Sequence, residues 1–106
     1  PNVKVMENNF MYSRNHVYAR PCIFSHVEGV EDLIEQGIIE EYVPYKMSGA
    51  SIGEYLASRD RVGSFLVKAS NMIELKTKIK QTVNALRVYD INGNDVIKRE
   101  IFEFDV

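Results

Sequence analysis

Apolar and polar residues alternate along the chain with two different periods, and the change of period separates strands from helices. From Asn2 to Cys22 the alternations are short: Val3 with Val5, Phe10 with Tyr12, then Val17-Tyr18-Ala19 ahead of Arg20-Pro21. Proline removes a ladder donor and holds the residue before it extended, so this stretch reads as two short strands or one irregular ribbon. Between Ile23 and Gly37 the period lengthens. Val27, Val30, Leu33 and Ile34 recur three or four apart, Ser25 stands where a cap would, and Glu28, Glu31 and Asp32 place acidic charge toward the N-terminal half. Gly37 supplies the left-handed C-terminal position, and the segment predicts a helix of about two to three turns.

Ile38 to Tyr45 is a strand by composition, ending at Pro44. Ser48-Gly49-Ala50-Ser51-Ile52-Gly53 then reads as a flexible connection. Arg61 to Ser70 is apolar on both faces, which marks a central strand. In the second helix Asn71, followed three residues later by Glu74, forms a capping-box pattern. Met72, Leu75, Ile79, Val83 and Leu86 continue as one apolar stripe, with Lys76, Lys78 and Lys80 as a solvated face. Arg87 to Ile91 predicts a short strand, Asn92-Gly93 a tight turn, and Val96 to Phe104 a last strand. The fold class expected is α+β: a mostly antiparallel sheet with two amphipathic helices on one face.

Composition adds bounds rather than detail. The 106 residues suit a single domain, 1–106, and the net charge of −2 argues against nucleic acid as a partner, because phosphate neutralisation needs a basic excess. Apolar runs are far too short for a membrane span, the single Cys22 forms no internal disulfide, and a cytoplasmic setting follows by default. The chain opens on Pro1 rather than methionine, which fits a processed, trimmed or excised chain.

The search for chemistry yields no complete constellation. His16 and His26 flank Cys22 without the paired spacing of a zinc site, so no metal site is expected. No Ser or Cys sits beside an oriented base, and Cys22 reads as a small buried hydrophobe. The glycines of residues 48–53 lack the lysine and hydroxyl that end a P-loop. Asp90-Ile91-Asn92-Gly93-Asn94-Asp95 has its glycine fourth rather than sixth, so a hairpin turn explains it better than a calcium loop. The densest mixed charge is Asp60 between Arg59 and Arg61. It could contact an anion, or pair internally, and internal pairing is the simpler reading. No catalytic or cofactor-binding residue is assigned.

From Gly29 onward the chain resembles the C-terminal subdomain of ATP-grasp enzymes, especially L-amino-acid ligases and more distantly biotin carboxylases. The residues that carry this are His26-Val27-Glu28-Gly29-Val30-Glu31-Asp32, Gly37-Ile38-Ile39-Glu40-Glu41, Gly49 with Ile52, Arg61-Val62-Gly63, Val67, and the helix Glu74 to Leu86. Ser70-Asn71 departs from the glycine often found before the last helix, and Pro1 to Cys22 matches the pattern poorly. The resemblance implies a non-catalytic subdomain of an ATP-dependent carboxylate–amine ligase. Its partner would be an upstream ATP-binding domain of the same chain, which would bring the ATP and Mg2+. Here the subdomain would close the active-site cleft or support a homodimer, with Arg59 and Arg61 as its anion contacts. The alternative is a free-standing small-molecule-binding or dimerisation module.

Overall fold

The computed structural model describes residues 2–5, 9–53 and 60–102. Their elements run β1 (Asn2–Val5), β2 (Met11–Tyr18), β3 (Cys22–Glu28), α1 (Val30–Glu35), β4 (Glu41–Pro44), β5 (Ser51–Ile52), β6 (Arg61–Ala69), α2 (Met72–Ala85) and β7 (Arg87–Asp90), then a 3₁₀ helix, Arg99–Phe102. The strands form two antiparallel sheets, one of order β1-β2-β6-β4 and one of order β5-β3-β7. The fold is α+β, with both helices feeding one core.

Strand β6 lies inside the four-stranded sheet between β2 and β4, as expected of a strand with apolar residues on both faces. It pairs with β2 from Met11↔Ala69 to Val17↔Gly63, and with β4 from Glu41↔Leu66 to Pro44↔Gly63. Phe65, Val67 and Ala69 are buried, as are Leu75, Ile79, Val83 and Leu86 of the second helix, and Phe102 stacks at 6.0 Å from Phe65. On β2 the buried Ser13, Asn15 and Val17 alternate with half-buried Tyr12, Arg14, His16 and Tyr18. That period of two separates a core-facing set from a set on the open face. A β-bulge between Val17 and Tyr18 then sets Tyr18 opposite Arg61.

Gly63 has a packing reason. A Cβ there would lie 2.2 Å from the Tyr42 hydroxyl and 2.7 Å from the Val43 carbonyl oxygen, so only glycine lets β4 close on β6.

The helix expected over Ile23 to Gly37 is a strand followed by a shorter helix. Cys22–Glu28 pairs with β5 and β7, and Gly29, at φ 101°, turns the chain into α1. A Cβ on Gly29 would meet the Ala85 carbonyl oxygen at 2.9 Å. Val27 and Val30 thus belong to different elements, and their helical spacing spans the junction. Ser25 is no cap; its hydroxyl lies 2.9 Å from His26 Nδ1. Gly37, at φ 74°, does occupy the left-handed position after α1.

The capping pattern of α2 holds with one shift. Asn71 Oδ1 accepts from the Glu74 amide at 2.9 Å, while Glu74 Oε1 accepts from the Ser70 amide at 3.2 Å, one residue before the cap. Met72 falls outside the stripe and is exposed. Ser51–Ile52, read as part of a flexible connection, makes the short edge strand β5 on β3.

The last expected strand, Val96 to Phe104, does not form over its described part. The Asp95 carboxylate accepts from the Val88 amide at 3.1 Å, and Arg99 donates to the Val83 and Leu86 carbonyls at 3.0 and 2.7 Å. Those bonds tie the segment to β7 and to the C-terminal end of α2, leaving isolated bridges and a 3₁₀ helix in place of a ladder. Residues 103–104 of that expectation lie outside the described residues.

Candidate functional site

The open face of the four-stranded sheet gathers the polar side chains of β2, β4 and β6. Ser64, fully buried at its centre, pairs in register with His16 on one side and Val43 on the other. Its hydroxyl accepts from Arg14 Nη1 at 3.2 Å and from the Tyr45 hydroxyl at 2.9 Å. Arg14 Nη2 also donates to Glu41 Oε1 in an ion pair across two strands. The His16 and Tyr45 rings lie 6.1 Å apart. Arg14 and Tyr45 are thereby held against the sheet.

Arg61 opens β6 on the same face. Its Nε donates to the Tyr18 hydroxyl at 3.0 Å, a neutral partner that orients the guanidinium without cancelling its charge. Burial holds the His16 imidazole below its ordinary value, and the Arg61 and Arg14 guanidiniums push it the same way. Three nitrogenous side chains therefore share one patch, one of them already neutralised by Glu41.

Of the two arginines singled out from sequence, Arg61 sits in this patch and Arg59 lies outside the described residues. Asp60, between them, is buried and accepts from the Gly53 amide at 3.4 Å rather than facing the patch. Tyr18 and Arg14 were not singled out, and His16 was weighed only as a zinc ligand. Their signal was Tyr12-x-Arg14-x-His16-x-Tyr18, a polar and aromatic alternation with the period of a strand.

A second feature is a half-open cleft of about 270 Å³ between β3, α1 and β4. Phe24, Val30, Pro44 and Val62 give it an apolar lining, with Glu31 and Lys46 also on its wall. Tyr42 lines it too, yet its hydroxyl is buried and has no hydrogen-bond partner among the described residues. Burial, with Tyr45 adding to it, pushes that phenol well above its ordinary value and keeps it protonated. His26 stands at the edge between Ser25 and Glu28, its ring 5.3 Å from Tyr89.

Elsewhere the polar clusters have local tasks. Asp90 Oδ1 accepts from the Asn92 and Asn94 amides at 2.9 Å each, which closes the β7 turn as the sequence suggested. Cys22 is half-buried beside the core rather than fully inside it. Among the described residues no group of three or more His, Cys, Asp or Glu could hold a metal ion. No helix among them is long and apolar enough to cross a membrane. No family model, characterised protein or solved structure matches the chain.

Proposed function

We propose that this chain is the non-catalytic C-terminal subdomain of an ATP-dependent carboxylate–amine ligase of the ATP-grasp type, with the open sheet face turned toward the active-site cleft. The observation that carries the reading is Arg61, a cation that heads the central strand on an open face and is held there by a hydroxyl rather than a carboxylate. Such a group stabilises negative charge on a bound phosphoryl or carboxylate without reorganising first. The residues of the family pattern also have structural reasons: Gly29 and Gly37 need positive φ, and Gly63 sits beneath Tyr42. Magnesium and ATP would be held by the upstream domain. The contribution of this chain is then to close one side of the cleft and present a cation.

The cleft between β3, α1 and β4 favours a second reading, a free-standing small-molecule-binding module. The reading frame upstream of Pro1 separates the two. The ligase reading expects coding sequence there for a glycine-rich loop, an ATP-binding lysine and paired magnesium carboxylates. A start codon directly before Pro1 contradicts it and leaves the binding module.

A further inference from the structure

Arg61 does not stand alone on the open face. Tyr18 is its register partner, and His16 lies two residues from Tyr18 on the same side of β2, a step of about 6.6 Å along a strand. Arg61 spends its Nε on the Tyr18 oxygen, and among the described residues both terminal nitrogens of the guanidinium are left for another acceptor. Tyr18 accepts through its oxygen and keeps its own proton to donate. The neighbouring Arg14 is committed to Glu41 and Ser64, and Tyr45 to Ser64, so these groups shape the patch and add little net charge. Among the described residues Arg61 forms no ion pair, which leaves one positive charge and three separate donors facing out.

We propose that Arg61, Tyr18 and His16 together bind a tetrahedral oxyanion, the phosphate group of a phosphate monoester or free inorganic phosphate. Three donors spread over two strands match the three free oxygens of a phosphate group better than the two of a carboxylate. This inference deepens the anion-contact role given to Arg61 above and rests on that reading. His16 adds a second charge when protonated. Its ring faces Arg14, Arg61, Tyr45 and Ser64; burial first, and then the two guanidiniums, disfavour its protonated form, and a bound anion favours it. Anion binding therefore takes up a proton at His16, and affinity rises as pH falls through the histidine range.

The experiment is titration of the full chain with sodium sulfate, inorganic phosphate, glycerol 3-phosphate and acetate at constant ionic strength. It is followed by calorimetry and by NMR of backbone amides and histidine rings. Sulfate does not titrate in this range, so its pH dependence reports on the protein. The expected result is saturable binding of the three tetrahedral anions, with shifts centred on His16, Tyr18 and Arg61, and acetate weaker by about tenfold or more. Arg61→Gln should weaken sulfate by roughly tenfold to a hundredfold, the worth of one charge-assisted contact. Arg61→Lys, whose amide spectrum checks the fold, should fall between. His16→Gln should abolish the pH dependence while keeping the Arg61 contact. Absence of saturation, equal binding by Arg61→Gln, or acetate binding as well as sulfate would overturn the proposal. A monoester that binds more tightly than free phosphate identifies the esterified group as the ligand; equal affinities identify phosphate itself. The outcome is independent of the upstream reading frame, so failure here and failure of the ligase reading are told apart.

Discussion

Replacing Tyr42 by phenylalanine should make the protein more stable. The Tyr42 hydroxyl is sealed from solvent, yet it has no partner among the described residues and lies over Gly63, where a Cβ would approach it to 2.2 Å. A buried donor without an acceptor forfeits its hydrogen bonds to water and costs about 1–3 kcal/mol. Tyr42→Phe removes that donor and keeps the ring against the cleft and the core, so stability should rise by about the same amount. For a chain of this size each kcal/mol moves the melting temperature by about 4 °C or somewhat more. Thermal and urea denaturation of the parent and the variant, with unchanged m-values, measure the difference. A loss of stability of about 1 kcal/mol or more would refute the reasoning, because it would mean that the hydroxyl makes a net favourable bond in solution.

Three other variants test the packing and electrostatic arguments. Gly63→Ala should cost about 1–3 kcal/mol by overpacking, and less in the Tyr42→Phe background, where the closest of its clashes is gone; urea unfolding of the double-mutant cycle reads the coupling. Asn71→Ala should cost about 1 kcal/mol through loss of the bond to the Glu74 amide, seen as a lowered melting temperature and faster amide exchange in the first turn of α2. For Asp95, partial burial opposes the charge, but the Arg99 guanidinium and the Val88 amide outweigh it and hold the carboxyl below its ordinary value. A folded value below the unfolded one means a contribution fully present above the ordinary carboxylate range and lost as pH falls through the folded value. Asp95→Asn should therefore be destabilised at pH 7 and approach the parent's stability as pH falls below the ordinary carboxylate range, measured by urea unfolding at pH 7 and in acid.

Local signals were legible where a single element satisfied them. The apolar run of β6 and the Asn71–Glu74 pattern of α2 each describe one element whose neighbours are fixed by its own period, and both appear in the fold. The segment from Ile23 to Gly37 misled because Val27 and Val30 sit on either side of the turn at Gly29, and a spacing of three across a junction imitates a helix. The last strand failed for a packing reason: Arg99 binds the end of α2, 13 to 16 residues back, and Asp95 accepts from the Val88 amide, contacts that a strand's period does not encode. At the candidate site, Arg61 was legible from its charge cluster. Its grouping with Tyr18 and His16 depends on the β2–β6 register and on the bulge after Val17, and no local pattern encodes that register.

The most direct test of the central claim is ATP turnover by the protein encoded by the whole reading frame, supplied with carboxylate and amine substrates and magnesium. The account predicts ADP formation that requires both substrates. It also predicts that Arg61→Gln lowers kcat/KM by roughly tenfold or more while the folded structure is retained. Absence of ATP turnover, or turnover indifferent to Arg61→Gln, would contradict it.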